Sequence, residues 1–351
     1  MQNESNISKF QKAPKIGLKP FGDSSYLNAV LQCLVNIREL AEYFLDKTNQ
    51  FYIENNVQKL PLSFVIERLF YHLYPFPEKE DNKPYGNDKI LAVLAKYNAN
   101  YKTKNKRNVN DLINFLLSTM HDELNEKKTN ITKKLDFDEF NQESVIYNEI
   151  TNFNNSNDSI IYKLFGYFSL KENTCSLCNK TKFELHYFHT FDLDILGCSK
   201  ENNNNIISIN DCLNNLSIPK TNNFYCKNCR KNTQINSIPR IYQSPNIFIF
   251  LLDRGNFEPK YTNIEFKLEQ NININVNQFE NKFELIGIVS ICLEKNKYVA
   301  FSKSPIDHQW YFYNDKKVDL IEFDSVLNNN NNVKLYIPFI LFYHSGKNEN
   351  A

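Results

Sequence analysis

Four cysteines of this chain form two identically spaced pairs, and thiols at this spacing are suited to holding a metal ion. The pairs are Cys175 with Cys178 and Cys226 with Cys229. Each Cys-x-x-Cys turn can place two thiolates on one ion, and two such turns complete a tetrahedron of sulfur ligands with Zn–S near ~2.3 Å. Because four ligands fill every coordination position, we expect this zinc to stabilise structure and to perform no chemistry.

A second group of residues has the types and order needed for nucleophilic chemistry. Residues 17–28 read GLKPFGDSSYLN, and Gln32 and Leu34 follow. This segment resembles the nucleophile box of the ubiquitin-specific protease family (peptidase C19, UCH type), which reads Gly-Leu-x-Asn-x-Gly-Asn-Thr-Cys-Tyr-x-Asn. On this register Ser25 stands at the position of the nucleophile, and Asp23 stands at the position of the oxyanion-binding asparagine.

The resemblance extends to the other catalytic segments of that family. The family places its general base in Gly-His-Tyr and its third member in Trp-Tyr-x-Phe-Asn/Asp-Asp, whereas this chain has NKYVAF at 296–301 and WYFYND at 310–315. The base position is therefore Lys297 and the third position is Asn314. A degraded form of the family's second helix box lies at 109–116, and its closing strand is similar to residues 336–343.

Three of the four chemical positions implied by the resemblance carry altered residues. The hydroxyl of Ser25 ionises far above pH 7 and needs an adjacent base. A lysine side chain such as that of Lys297 is ordinarily a cation and not a base at neutral pH, and the charge of Asp23 opposes the oxyanion that develops during acyl transfer. Loss of triad members costs on the order of 10⁴–10⁶ in rate, and loss of an oxyanion donor costs about 10²–10³. We therefore expect Ser25, Lys297, Asn314 and Asp23 to form a non-functional catalytic site.

Three functions remain open on this reading. The first is a pseudo-deubiquitinase, a pseudoenzyme that binds ubiquitin, a ubiquitinated protein or another partner without isopeptide cleavage. The second is an active deubiquitinase, a ubiquitin thiolesterase-type hydrolase in which Ser25 works with a neutral Lys297. The third is a structural subunit of a protein complex that has lost ubiquitin binding, an alternative supported by Asp253 and Gly255 where the family has Leu-Lys-Arg-Phe.

The elements that must position these residues follow from hydrophobic spacing. Apolar residues at helical intervals predict one helix over 25–40 and a second over about 110–124. Asp23 or Ser24 is suited to capping the first helix, which directs backbone N–H groups at Ser25. Later segments read as short strands, at 160–162, 183–193, 247–252, 283–292, 298–302, 310–313 and 335–343. Helices followed by strands indicate an α+β fold.

Polar stretches and the remaining cysteines complete this organisation. Asparagine-rich runs at 152–158, 201–205 and 328–332 are predicted to be exposed loops. The remaining four cysteines are expected to be core residues: Cys33, Cys198, Cys212 and Cys292.

The resemblance gives these elements a specific layout. It implies a papain-like cysteine-protease fold with a thumb at about 17–150, zinc-ribbon fingers at about 165–235 and a palm at about 236–345. A polar extension at 1–16 precedes this domain, which spans 17–345. In the family the zinc-bearing fingers grip ubiquitin.

Composition excludes several other classes of protein. The 351 residues carry Lys+Arg 41 against Asp+Glu 40, a formal net charge of +1, which supplies no electrostatic footprint for nucleic acid or an anionic membrane. The longest apolar runs fall far below the roughly 18 residues that a membrane helix needs, and the N-terminal residues lack a signal-peptide apolar region. We expect an intracellular protein of the cytoplasm or nucleus.

Overall fold

The computed structural model describes residues 14–74, 83–102, 108–127, 138–202, 206–254, 264–324 and 336–346. The α-helices within these ranges are α1 Ser25–Val35, α2 Arg38–Leu45, α3 Lys47–Asn55, α4 Pro61–Leu73, α5 Asp88–Tyr97, α6 Val109–Leu124, α7 Gln142–Ser156, α8 Ile160–Phe165, α9 Ile195–Asn202 and α10 Ile209–Leu216. A short 3-10 turn at Ala99–Lys102 follows α5.

Strands dominate the later part of the chain. They are β1 Leu18–Lys19, β2 Tyr85–Gly86, β3 Tyr167–Cys175, β4 Thr181–Phe188, β5 Phe191–Asp194, β6 Ile206–Ile207, β7 Lys220–Cys226, β8 Lys231–Gln243, β9 Ile247–Asp253, β10 Glu265–Phe266, β11 Asn271–Val276, β12 Phe279–Cys292, β13 Lys297–Lys303, β14 Trp310–Asn314, β15 Lys317–Ile321 and β16 Tyr336–Ser345. Helices come first and antiparallel strands later, so the predicted α+β class is confirmed.

The chain divides into two compact units. The first contains Met1–Leu124, Phe250–Leu252 and Leu285–Tyr343; the second contains Asn125–Ile249, Asp253–Glu284 and His344–Ala351. Each unit has its own candidate site.

In the first unit, α1 is buried along its whole length and packs against β13, α6 and α2. A helix buried on every side must satisfy its polar side chains internally. Gln32 does so in part: its Nε2 donates to the carbonyl of Ile16 at 3.0 Å, whereas its Oε1 accepts no hydrogen bond from the described residues. The sheet beside α1 has the strand order β15-β14-β13-β12-β16-β9. In it, each strand from β12 to β15 pairs antiparallel with the next strand along the chain. This register places Cys292 opposite Lys297 at the start of β13.

The first predicted helix, 25–40, is wrong at its end, because the structure has two helices there. α1 ends at Val35, and the backbone of Ile37 is extended before α2 begins at Arg38. Asn36 explains the break: its Nδ2 donates to the carbonyl of Gln32 at 2.8 Å and to the hydroxyl of Tyr313 at 3.1 Å. A side chain held by a distant strand therefore ends a run whose apolar spacing continues. The second predicted helix is confirmed as α6, which spans Val109–Leu124.

In the second unit, an antiparallel sheet has the order β4-β3-β8-β7. The strand predicted at 160–162 is wrong, because Ser159 caps a helix there by accepting from the backbone N–H of Tyr162 at 3.1 Å. A short β-branched run is ambiguous between helix and strand until its cap is known. The loop predicted at 152–158 is also wrong over most of its length, since α7 continues to Ser156.

The other predicted strands are found in β4 and β5, β9, β12, β13, β14 and β16. The loop predicted at 201–205 is wrong for Glu201 and Asn202, which end α9. The described residues do not include 203–205, the loop predicted at 328–332, Leu335 or Gly255. Cys33, Cys198, Cys212 and Cys292 are buried, as predicted for core residues. None of the helices in the described ranges is long and apolar enough to cross a membrane.

Candidate functional site

The loop that leads into α1 is built around a buried serine. Gly22 has a φ of 65°, a left-handed conformation that glycine adopts without strain, and it turns the chain toward the helix. The predicted side-chain cap of α1 is wrong, because Ser24 occupies the N-cap position without a capping hydrogen bond and its Oγ accepts instead from the backbone N–H of Phe21 at 2.8 Å. Ser25 follows as the first residue of α1 and is buried. The sequence-predicted nucleophile position therefore lies at a helix N-terminus.

The structure brings Ser25 together with the start of β13. The backbone N–H of Tyr298 donates to Ser25 Oγ at 3.2 Å, across 273 residues of sequence. Lys297 is the preceding residue and the first of β13, and the turn before it contains Asn296 with a φ of 48°. The backbone of the predicted base position thus lies beside the predicted nucleophile position, and the hydroxyl oxygen of Ser25 is already engaged by a main-chain donor.

The side chain of Lys297 pairs with an acid that sequence reasoning did not select. Its Nζ lies 3.3 Å from Oδ2 of Asp315, and the exposed fraction is 50% for the lysine side chain and 9% for the aspartate. Asn314, the predicted third member, ends β14 opposite Lys317 and makes no side-chain hydrogen bond within the described part of the chain. The sequence did contain a signal for Asp315, because this acid directly follows Asn314 in the same motif, WYFYND at 310–315.

Asp315 belongs to a buried polar network around the start of α1. Its Oδ1 accepts from Nδ2 of Asn28 at 2.8 Å. Oδ1 of Asn28 in turn accepts from Nδ2 of Asn87 at 2.7 Å, and the same Asn87 amide donates to Ser24 Oγ at 2.9 Å. Asn87 precedes α5 in a segment with no recognisable motif, so sequence reasoning missed it. The network links the residues on both sides of Ser25 to the acid that holds Lys297.

The remaining predicted position, Asp23, is exposed in the turn before Ser25. Elsewhere on α1, Cys33 is buried against Gly287, and burial raises the pKa of its thiol far above the usual range. A thiol in that state is not a nucleophile, since the thiolate is the reactive form. The arrangement thus contains a serine hydroxyl, a lysine in an ion pair and an exposed carboxylate.

In the second unit, the four paired cysteines converge on one point. Sγ of Cys175 lies 3.8 Å from Sγ of Cys229, Sγ of Cys178 lies 3.8 Å from Sγ of Cys226, and all four sulfurs lie within 4.8 Å of one another. Four sulfurs at ~2.3 Å from one tetrahedral ion are separated by about 3.8 Å. The donor set and its spacing therefore fit a tetrahedral metal ion.

The two cysteine turns have the same backbone geometry. The N–H of Asn179 donates to the carbonyl of Cys175 at 2.9 Å, and the N–H of Arg230 donates to the carbonyl of Cys226 at 2.7 Å. Asn179 and Arg230 both have left-handed φ values, 54° and 55°. Each turn joins two strands, β3 to β4 and β7 to β8, and the pairing of β3 with β8 brings the turns side by side.

The backbone of the first turn also favours the ligating form of one thiol. The pKa of Cys178 is lowered to about 6, chiefly by a hydrogen bond from the backbone of Lys180. Metal ions bind the thiolate and not the thiol, so the lowered pKa of Cys178 favours ligation, whereas hydrogen bonding with Cys178 raises the pKa of Cys229 to about 12.

Comparison with known proteins agrees with this geometry. The family model described as ubiquitin carboxyl-terminal hydrolase matches residues 16–343. The chain is 24% identical to ubiquitin carboxyl-terminal hydrolase 4 of Saccharomyces cerevisiae (strain RM11-1a), over 94% of this chain and 39% of that protein. It is 23% identical to ubiquitin carboxyl-terminal hydrolase 4 of Arabidopsis thaliana, over 88% of this chain and 86% of that protein. This chain therefore spans about two fifths of the length of the yeast relative.

A solved structure shows the same fold. The structure of the SAGA Ubp8/Sgf11/Sus1/Sgf73 DUB module bound to ubiquitin aldehyde matches with a TM-score of 0.70 and 17% sequence identity, over 96% of this chain and 70% of that chain. The expected fold of the ubiquitin-specific proteases is thereby confirmed.

Proposed function

The chain belongs to the ubiquitin carboxyl-terminal hydrolase family, and we propose that it binds ubiquitin or a ubiquitinated protein without cleaving the isopeptide bond. The observation that supports this most directly is the ion pair of Lys297 with Asp315 beside Ser25. A site that lacks a free base next to its nucleophile has no means of removing the hydroxyl proton.

The contacts of Ser25 and Lys297 argue against hydrolysis by these two residues. A lysine acts as a base only when it is neutral, and a nearby carboxylate favours its charged form. Lys297 is half exposed and lies 3.3 Å from a carboxylate oxygen, which is the opposite of the dry, uncharged setting that a neutral lysine needs. Asp23 adds a negative charge close to the helix N-terminus, where an oxyanion would need stabilisation.

The polar network around α1 supports a retained binding role. Asn28, Asn87 and Ser24 are buried and joined by hydrogen bonds, so the loop before α1 keeps one conformation without any catalytic residue. Hydrogen bonds within a buried network of this kind favour one local structure, although Oδ1 of Asn87 accepts no hydrogen bond from the described residues. We propose that this preserved frame still presents the surface on which a ubiquitin C-terminus can lie.

We further propose that zinc occupies the cysteine quartet. Cys175, Cys178, Cys226 and Cys229 would hold the ion, which when bound supplies cross-linking of two strand connections and no reaction chemistry. The layout of thumb, palm and zinc-bearing fingers, a place in a larger protein complex and an intracellular location are parts of the same proposal. They rest on membership of the family.

One experiment tests binding and catalysis together. Ubiquitin is titrated against the purified protein by calorimetry, and a fluorogenic ubiquitin conjugate is incubated with it at matched concentrations. We expect saturable binding and no release of the fluorophore. Turnover that is abolished by Ser25→Ala would instead establish an active serine hydrolase, and the absence of both binding and turnover would establish a structural subunit.

A restored variant separates these outcomes further. Combining Asp23→Asn, Ser25→Cys and Lys297→His supplies an oxyanion donor, a nucleophile and a base together. We expect weak cleavage of the fluorogenic conjugate by the triple variant and little change in any single variant, because members of a triad act as a unit. A triple variant that binds ubiquitin as the wild type does but remains silent would show that another part of the site has also been lost.

A further inference from the structure

Cys198 and Cys212 are two buried thiols of the second unit, and neither belongs to the cysteine quartet. We propose that they form a reversible disulfide that fastens α9 to α10, closed by a peroxide and opened by a thiol reductant. This proposal does not depend on ubiquitin binding or on the residues around Ser25.

The fold brings the two thiols together from neighbouring helices. Cys198 is the fourth residue of α9, Cys212 is the fourth residue of α10, and the two helices pack against each other. Cys198 is 0% exposed and Cys212 is 3% exposed. Their side chains are joined by a hydrogen bond. To form a disulfide the sulfurs must approach to ~2.05 Å, which from this contact is a local adjustment of two side chains.

Hydrogen bonds at the start of each helix hold this contact in place. Oδ1 of Asp194 accepts from the backbone N–H of Gly197 at 2.7 Å, in the first turn of α9. Oγ of Ser208 accepts from the backbone N–H of Asp211 at 3.2 Å, and Oδ2 of Asp211 accepts from the backbone N–H of Ser208 at 2.8 Å. Because such caps fix where a helix begins, they also fix the direction in which each thiol points.

The reaction is a two-electron oxidation with hydrogen peroxide as the oxidant. One thiolate attacks a peroxide oxygen, the O–O bond breaks and hydroxide leaves, which gives a sulfenic acid. The second thiolate attacks the sulfenic sulfur and expels hydroxide, which forms the S–S bond. Two thiols and one peroxide thus give one disulfide and two water molecules, and the thiol protons end on the water. The sulfurs lose the two electrons that the peroxide oxygens gain.

The surroundings of the pair make its oxidation slow. Burial, followed by the neighbouring Cys198, raises the pKa of Cys212 well above its usual range, and the carboxylates of Asp211 and Asp194 act in the same direction. Since the thiolate is the nucleophile, little of the pair is reactive at neutral pH. We therefore expect the disulfide to close only under excess peroxide.

Peptide mapping of the wild-type full chain tests this proposal directly. Trypsin cleaves after Lys182, Lys200 and Lys220, so the two cysteines fall in separate peptides, 183–200 and 201–220, each with a single cysteine. The protein, purified with zinc, is treated with excess hydrogen peroxide, its remaining thiols are alkylated under denaturing conditions, and the digest is analysed by mass spectrometry. We expect these two peptides to be linked, with the loss of two hydrogen atoms, and to be separated by dithiothreitol.

The buried cysteines of the first unit supply a matched background. Cys33 and Cys292 are each the single cysteine of a tryptic peptide, 16–38 and 283–295. Links from either of them at the same yield as the expected link would overturn the proposal. Recovery of peptides 183–200 and 201–220 only as alkylated thiols or as sulfinic acids would overturn it as well. In Cys212→Ala the link from Cys198 should disappear, and a link from Cys198 to another cysteine in this variant would refute the assigned pair.

Hydrogen exchange tests whether the bond fastens the two helices. Exchange in α9 and α10 should be slower by about tenfold or more in the oxidised protein than in the reduced protein, because neither helix then opens without moving the other. Helix α6 of the first unit is the internal control and should exchange at the same rate in both. Equal exchange of α9 and α10 in the two proteins would refute the fastening role even if the linked peptides were found.

Discussion

A buried glutamate in α4 gives this protein a pH dependence that can be worked out from the structure. Glu67 is 1% exposed, and neither of its carboxylate oxygens accepts a hydrogen bond from the described residues. Glu67 forms an ion pair with Arg68, whose Nε lies 3.1 Å from Oε2 of Glu67. Arg68 also forms an ion pair with Glu54. Burial raises the pKa of Glu67 from 4.5 to about 7, against an opposing effect of Arg68.

The direction of the effect follows from proton binding. Between pH ~4.5 and ~7 the folded protein keeps a proton on Glu67 that the unfolded chain has released, so the free energy of unfolding falls as pH rises through this window. Above pH ~7 the full cost of burying the charge is present. A shift of about 2.5 pH units corresponds to about 3 kcal/mol, an upper bound because water and nearby charges relax around an ionised carboxylate.

The change Glu67→Gln removes the titrating group and keeps its shape. At pH 5 we expect the variant and the wild type to have similar melting temperatures. At pH 8 the variant should melt about 3–12 °C higher, since each kcal/mol of the expected ~1.5–3 kcal/mol corresponds to about 2–4 °C in a unit of this size. Differential scanning calorimetry at both pH values measures the difference.

A matched control is Glu42→Gln on α2, where the carboxylate lies in a partly exposed ion pair with Arg38. Such pairs contribute ~0–1 kcal/mol, so this variant should show little pH-dependent difference from the wild type. If the difference between Glu67→Gln and the wild type were the same at pH 5 and pH 8, the reasoning about a buried, proton-binding Glu67 would be refuted.

Three further predictions concern the metal, a turn and a helix end. Cys226→Ser should reduce bound zinc from one per chain to near zero by elemental analysis, and hydrogen exchange should rise in the second unit alone; equal zinc in both proteins would contradict the quartet. Gly17→Ala should lower stability by about 2–3 kcal/mol in urea titrations, because its Cβ would lie 2.3 Å from a carbonyl oxygen of Lys316, whereas Gly346→Ala meets open space and should be neutral. Glu123→Ala should lower the free energy of unfolding by about 2–4 kcal/mol, since the Glu123 carboxylate accepts from two backbone N–H groups in the first turn of α4 at 2.9 and 2.7 Å. Glu123→Gln keeps one acceptor and should lower it less. Equal losses of stability in the two variants would argue against this capping role.

Much of the fold was predictable because its signals are local. The apolar spacing that predicts α6 is a property of consecutive residues, and the helix covers Val109–Leu124 as expected. The end of α1 was not predictable, because Asn36 is held by the hydroxyl of Tyr313, 277 residues away in sequence. Likewise, residues Ile160–Phe165 form a helix that Ser159 caps, whereas the short β-branched run by itself is equally compatible with a strand.

The candidate sites differ in the same way. The candidate metal site was predictable from the sequence, because two residues between the cysteines of each pair define a turn that places both sulfurs on one side, and two such turns complete a possible set of four ligands. The sequence also determines which residue types stand at the positions implied by the family register, including Ser25 and Lys297. From those types alone we expected a non-functional catalytic site.

Only the tertiary structure decided which groups contact one another around Ser25. Asn314 and Asp315 are adjacent and equally placed in the motif, yet a left-handed backbone at Asp315 directs its carboxylate to Lys297. Asn87 joins the network from a segment without any motif, because packing brings it to Asn28. Hydrogen-bond partners depend on distances of a few ångströms between segments that are far apart in sequence. Those distances cannot be inferred from the spacing of residues along the chain.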